Sequence, residues 1–162
     1  GFVFLVNDKD PEIPGNNYKE KKLYLAFRDM EIGETSHAEP VKVAAKHITI
    51  DGGRQYLIVK MKIEEGYHVY ATAGSEHPFV PCKVDIELPA GYKIESEMEM
   101  PASDFYANDG TTIYKGEAKF VLPIIGDDKE GIKVNIEYQC CDANICMAPV
   151  KTVIEVPSVK IK

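Results

Sequence analysis

The sequence predicts an all-β protein, an immunoglobulin-like antiparallel β-sandwich preceded by an N-terminal arm. Three observations lead there. From Val41 onward the chain is a succession of short, apolar-rich segments of strand length. Turn signals separate them: DGG at 51–53, EEGY at 64–67, PAGY at 89–92 and GDDKEG at 126–131. No stretch sustains a helical apolar period, and short strands at this spacing suit two packed sheets.

Taken in order, FVFLV at residues 2–6 reads as a short buried strand, and the turn-rich DKDPEIPGNN ends any regular element after it. In KEKKLYLAFRDMEI the alternation of Leu23, Leu25 and Phe27 suits a strand, with a short amphipathic helix as the alternative. GETSHAEP at 33–40 is linker-like, so residues 1–40 are expected to form an arm or the tail of a preceding domain. Residues 41–162 form the sandwich, whose strands are VKVAAKHITI, RQYLIVKMKI, YHVYAT, CKVDIELP, TIYKGEAKFVLPII, IKVNIEYQCC and APVKTVIEVP.

Composition narrows the function. A chain of 162 residues with 44% hydrophobic content can bury a core without needing disulfides to do so. A net charge of -7 and a pI near 5.1 oppose a phosphate-binding surface, so nucleic acid is not an expected partner. No apolar run is long enough to span a bilayer, and GFVFLVNDKD lacks the basic start and cleavage site of a signal peptide. The chain reads as trimmed, leaving an export signal, a lipid anchor or further domains outside it.

Chemistry concentrates in YQCCDANICMAP, which holds three of the four cysteines. Alternation along IKVNIEYQCC puts Ile132, Val134, Ile136, Tyr138 and Cys140 on a core face, and Lys133, Asn135, Glu137, Gln139 and Cys141 on a polar one. Cys140 is then a buried small hydrophobe, and Cys141 emerges at the strand end. After the turn-compatible DANI, Cys146 opens the next strand, within disulfide reach of Cys141 across a hairpin. A loop this short removes only roughly 2 kcal/mol of denatured-state entropy, so the bond is a weak staple and its sulfurs at a loop tip invite exchange. From the residues alone, an inert clip and a redox pair both remain open.

YQCCDANICMAP, with GYHVYAT, SDFYANDGTTIY and FVLPI upstream, resembles the N-terminal domain of the bacterial thiol:disulfide interchange protein DsbD. The matching residues are Tyr138, Gln139, Cys141, Asp142, Cys146 and Pro149, and the likeness runs from about Val41 to Val156. The resemblance implies an immunoglobulin-like periplasmic domain, exported and tethered to the bacterial inner membrane as part of a larger membrane protein. It implies a relay that takes electrons from a membrane reductase through a thioredoxin-like domain and passes them to periplasmic disulfide isomerases and to thioredoxins of cytochrome c maturation. Cys141 would attack and Cys146 resolve.

The same likeness implies a lid of Asp104, Phe105 and Tyr106, whose aromatic rings would exclude small thiols until a partner displaces them. GYHVYAT would line the site, with His68 and Tyr70 on one face. A protonated His68 would lower a cysteine pKa there, whereas Asp104 and Asp142 would raise it. MAP after the second cysteine departs from the family pattern, and Cys82 and Cys140 are additions to it. These extra thiols are expected to be reduced and buried, with a Cys82–Cys140 bond or a mispaired Cys140–Cys146 as alternatives.

Two other functions are compatible with the residues. An immunoglobulin-like binding module with an inert hairpin disulfide is one. The other is a soft-metal site built from Cys140, Cys141, Cys146 and Met147 with His68 or His37, though strong zinc and iron-sulfur signatures need paired clusters and only one exists here. A Cys141–His68 nucleophile is disfavoured, because a second cysteine five positions on would trap it as a disulfide. DGGRQ is a hairpin turn and not a phosphate cradle. The relay reading calls for no metal and no small-molecule cofactor.

Overall fold

A computed structural model of the chain describes residues 18–50, 52–126 and 130–160, so the strand expected at residues 2–6 lies outside the described residues. The chain divides into two compact units, Gly1–Met30 and Glu31–Lys162. In the first, helix α1 (Tyr18–Arg28) stands where alternation suggested a strand. Leu23 and Phe27 are also four apart, one helical turn, and the Lys, Glu, Leu and Ala around them are strong helix formers. Glu20 in the first turn and Arg28 in the last complement the helix dipole, and Leu23 is buried.

The second unit holds twelve strands among its described residues. In chain order they are β1 (Val41–Ile50), β2 (Arg54–Ile63), β3 (His68–Thr72), β4 (Lys83–Glu87), β5 (Lys93–Ile94) and β6 (Asp104–Phe105). Then follow β7 (Thr112–Tyr114), β8 (Glu117–Ile125), β9 (Lys133–Tyr138), β10 (Cys140–Cys141), β11 (Val150–Glu155) and β12 (Ser158–Lys160). They make a five-stranded sheet ordered β12-β1-β2-β8-β5, a three-stranded sheet β11-β9-β4 and a four-stranded sheet β10-β3-β7-β6. All pairings are antiparallel except that of β12 with β1. The all-β sandwich expected from the strand spacing is what forms.

The DGG turn closes the β1–β2 hairpin as expected. Gly52 and Gly53 both take left-handed φ, 89° and 81°, which few other residues tolerate, and the Gly53 N–H donates to the Ile50 carbonyl. Residues 31–40 are tied to this unit: Thr35 Oγ1 donates to Glu64 Oε1 at 2.6 Å, and His37 Nδ1 lies 3.1 Å from the Tyr67 hydroxyl. Buried His47 is satisfied at both ring nitrogens, by Gln55 at 2.8 Å and by Ser158 at 2.9 Å, which fastens β12 beside β1.

Two segments that read as single strands change sheets midway. TIYKGEAKFVLPII becomes β7 and β8, bent at Gly116, whose carbonyl accepts from the Ile63 N–H. IKVNIEYQCC becomes β9 and β10, divided at Gln139. Each bend carries the chain from one sheet to another, as sandwich corners do.

One cluster forms the main core. Val59, Met61, Phe120 and Leu122 of the five-stranded sheet pack with Val134 and Ile136 of the three-stranded sheet, and Val69, Tyr114 and Cys140 extend it into the four-stranded sheet. That third sheet is covered on its other face too. Tyr70, Ile113 and Cys141 form a second, smaller cluster with Phe79 against it.

The outer face of the three-stranded sheet is solvated, since Val153, opposite Asn135 on β9, is 58% exposed while neighbouring Ile136 is 1% exposed. Ile136→Ala should therefore cost about 2–5 kcal/mol in urea unfolding, and Val153→Ala about 0.5 kcal/mol or less. Equal losses at the two positions would show that the inward and outward faces have been assigned wrongly.

Candidate functional site

Strand β10 is only two residues long, yet it places two of the three sulfurs of the cysteine cluster and pairs with the third. Cys140 stands opposite Val69 and Cys141 opposite His68, and Cys141 also forms a bridge with Cys146 across the loop. A disulfide joins Cys141 to Cys146, with Cα atoms 4.0 Å apart, as the hairpin reading expected. Cys82 and Cys140 are free and buried, also as expected. Burial pushes their thiols up, to about 12 for Cys82 and about 11 for Cys140, so both are poor nucleophiles near neutral pH.

The loop is held from both ends. The Asp142 carboxylate accepts from the backbone N–H groups of Asn144 at 2.8 Å and Ile145 at 2.7 Å, an Asx-type turn that holds its pKa below the usual carboxylate range. Gln139 braces the other side, accepting from the Val80 N–H at 2.9 Å and donating to the Met147 carbonyl at 3.2 Å. The Met147 N–H in turn donates to the Cys140 carbonyl at 2.9 Å. Asp142 thus shapes the loop directly, a role that chain position alone did not reveal.

The two bonded cysteines sit in opposite surroundings. Cys141 is 1% exposed and lies in the second cluster, whereas Cys146 is exposed at the loop tip between Ile145 and Met147, themselves 68% and 36% exposed. The expectation that Cys141 emerges on a polar face is therefore corrected. Alternation does put Cys140 and Cys141 on opposite faces, but past Gln139 the second face is roofed by aromatic rings and is no longer solvent.

That roof is built on Tyr70. Its ring stacks on Phe79 with centroids 4.1 Å apart and planes within 5°, and meets Tyr106 edge-on at 5.6 Å. Its hydroxyl lies 3.8 Å from Cys146 Sγ and 3.2 Å from His68 Nε2. The shared face expected for His68 and Tyr70 is thus present, and it meets the disulfide. Burial, together with the neighbouring Tyr106 hydroxyl, holds the Tyr70 phenol well above its ordinary range. His68 is shifted down, first by burial and then by Lys115, against an opposing pull from Asp142, which favours its neutral form.

Of the three residues expected in a lid, Tyr106 enters this cluster, its ring 5.2 Å from that of His68. Phe105 is 70% exposed and Asp104 is exposed as well, so neither is buried in the cluster. The hairpin carrying them is closed by the N–H groups of Tyr106 and Ala107, which both donate to the Thr111 carbonyl. Its tip is clasped to the preceding loop: His77 Nδ1 meets Asp109 Oδ2 at 2.5 Å, and Thr111 Oγ1 donates to Asp109 Oδ1 at 2.8 Å while accepting from the Gly74 N–H at 2.9 Å. His77 is the main reason that Asp109 is pulled down to about 2. A Cβ on Gly74 would lie 2.3 Å from the Asp109 carbonyl oxygen, so the loop closes only around glycine.

Sequence reasoning passed over Phe79, His77 and Asp109. They lie in irregular segments with no periodicity to read; the only signal was an aromatic and a histidine flanking proline in HPF. The soft-metal set does not converge, because Cys140 faces the main core while Cys141 faces the second cluster in a bond with Cys146. Among the described residues no group of three or more His, Cys, Asp and Glu side chains is placed to hold a metal ion.

The family described as "Thiol:disulfide interchange protein DsbD, N-terminal" matches residues 36–158. No curated protein matches in sequence. The N-terminal periplasmic domain of ScsB from Proteus mirabilis shares the fold at 15% identity and TM-score 0.50, covering 76% of this chain and 49% of that one. The chain therefore spans about half the length of that structure. The reduced DsbD N-terminal domain of Neisseria meningitidis aligns at 19% identity and TM-score 0.42, over 61% of this chain and 74% of that one. The complex of the DsbD and PilB N-terminal domains from the same organism aligns at 18% identity and TM-score 0.45, over 70% and 80%.

The burial pattern predicts how the thiols react. In the native oxidised protein no cysteine should react with an alkylating reagent; mild reduction should release Cys146 as the fast-reacting thiol, and Cys82 and Cys140 should react only on unfolding. Mass mapping after timed alkylation checks this, and early modification of Cys82 or Cys140 would contradict it.

Proposed function

The chain belongs to the family of N-terminal domains of thiol:disulfide interchange protein DsbD, and on that premise we propose that it exchanges thiols and disulfides with partner proteins through Cys141 and Cys146. One observation carries the reading: the bond joins a sulfur buried under aromatic rings to one on an exposed loop tip. A staple needs neither the asymmetry nor the cover. An exchanging pair uses both, because one sulfur must be met by a visiting thiolate while the other is kept from stray reagents.

The exposures support Cys146 as the sulfur that meets the partner, reversing the order that the resemblance implied. An incoming thiolate attacks Cys146 Sγ, the bond to Cys141 breaks, and a mixed disulfide forms as Cys141 leaves with the electron pair. The partner's second thiolate then attacks its own sulfur in that mixed disulfide and releases Cys146 as a thiolate. Two electrons and two protons have then passed to this domain, and the partner has become a disulfide. Running backward, Cys146 attacks an oxidised partner and Cys141 resolves the intermediate.

In this reading the donor is a thioredoxin-like domain of a membrane reductase, and the acceptors are periplasmic thiol-disulfide proteins, with the domain tethered at the inner membrane. Among the described residues no helix is long and apolar enough to cross a membrane. Tyr106 serves as the working part of the lid, since its ring borders His68 and Tyr70 beside the disulfide. Exposed Phe105 sits at its rim, where a partner would press first.

Cys141→Ser should accumulate a mixed disulfide through Cys146 with a thioredoxin-like domain lacking its resolving cysteine, and Cys146→Ser should accumulate none; non-reducing gels with peptide mapping read the outcome. Trapping through neither cysteine would favour the inert binding module. In a separate test, Tyr106→Ala should speed reduction by dithiothreitol severalfold while leaving unfolding cooperative. An unchanged rate would remove Tyr106 as a cover.

A further inference from the structure

Tyr70 occupies a place that packing alone does not require. Its ring is among the largest fully buried side chains, fixed between the stack on Phe79 and the edge of Tyr106, so its hydroxyl has little freedom of position. That hydroxyl has three polar neighbours: His68 Nε2 at 3.2 Å, Cys146 Sγ at 3.8 Å and the Tyr106 hydroxyl. A neutral His68 protonated at Nε2 can donate to the phenol oxygen, which leaves the phenol proton to face either the Tyr106 hydroxyl or the sulfur. A disulfide sulfur is a weak acceptor, but a thiolate at the same place is a strong one.

We propose that the Tyr70 hydroxyl is the hydrogen-bond donor that holds the negative charge of the Cys146 thiolate, both when it leaves the mixed disulfide and when it attacks an oxidised partner, and that His68 is the positioning residue that aims it. The proposal rests on the exchange function above and adds a residue that touches the reacting atom. The bond acts in both directions of the reaction. It stabilises Cys146 as a leaving thiolate when the domain is reduced, and it raises the thiolate fraction of Cys146 when the domain attacks an oxidised partner. The proton stays on Tyr70 throughout; only the hydrogen bond shortens.

Other charges face the same group. Tyr106 reaches it from the lid hairpin and His77 borders Phe79 beneath it; Asp142 approaches from the cysteine loop, and Lys115 acts on His68 from beyond β7. Asp142 opposes an anion at Cys146 and Lys115 favours one, so the side that removes the charge penalty at the sulfur itself is the neutral donor in contact with it.

The test is the alkylation rate of reduced Cys146 as a function of pH, measured on the Cys141→Ser chain so that no disulfide re-forms. Tyr70→Phe keeps the ring and its stack but removes the hydroxyl. It should move the midpoint of the profile up by about one pH unit, a roughly tenfold loss of thiolate at neutral pH, and leave the high-pH plateau unchanged. His68→Leu should move the midpoint in the same direction by less, because the donor remains but loses its aim. Coincident midpoints for Tyr70→Phe and its parent would overturn the proposal, as would a changed plateau with no midpoint shift, which marks altered access. The reagent is a small molecule, so these outcomes are independent of any partner. A domain that fails to trap a thioredoxin-like partner yet shows the shift would refute the exchange function and leave the hydrogen bond standing.

Discussion

The site depends on the antiparallel pairing of two residues, Cys140 and Cys141, with Val69 and His68. That pairing occurs because the chain leaves the three-stranded sheet at Gln139 and joins a different sheet one residue later. Strand alternation then sends adjacent sulfurs to opposite faces: Cys140 into the main core, Cys141 into the aromatic cluster around Tyr70. Without the switch, Cys141 would follow Asn135 and Glu137 onto the solvated side of β9. The bend therefore decides which thiol is inert packing and which belongs to the reactive pair.

The same bend makes the pair asymmetric. A two-residue strand ends abruptly, and the Asx-type turn on Asp142 returns the chain to set Cys146 against Cys141 from outside. One sulfur thereby inherits the burial of the sheet and the other the exposure of the loop. Covering the first does not require a large movable domain. The stack of Tyr70 on Phe79, closed by Tyr106, is held by a clasp between His77, Asp109 and Thr111 that lies on irregular segments, where local opening is least costly.

Much of this was legible in the residues. Short strands, the glycine turn at 51–53 and the apolar alternation of Val134, Ile136 and Tyr138 pointed to the sandwich, because those signals act between near neighbours in the chain. The Cys141–Cys146 bond and the shared face of His68 and Tyr70 were legible for the same reason. Strand and helix both stood open for α1 because Leu23 and Phe27 satisfy both periods, and helix propensity decided for the alternative reading over the strand. The burial of Cys141 was not legible, since it is created by Phe79 and Tyr106, which are remote in sequence and lie in segments without period. Parity assigns a side chain to a face; only tertiary packing says whether that face meets water.

The central claim is that the Cys141–Cys146 bond is a reagent and not a staple. It closes a loop so short that removing it should cost the fold only roughly 2 kcal/mol. The most direct measurement incubates the oxidised native chain with catalytic thioredoxin, thioredoxin reductase and NADPH, and follows both free thiols and urea unfolding. The expected result is rapid opening of this bond, with a reduced protein that still unfolds cooperatively near its original midpoint. A bond that stays closed until the chain unfolds, or a fold that collapses as soon as it opens, would contradict the claim.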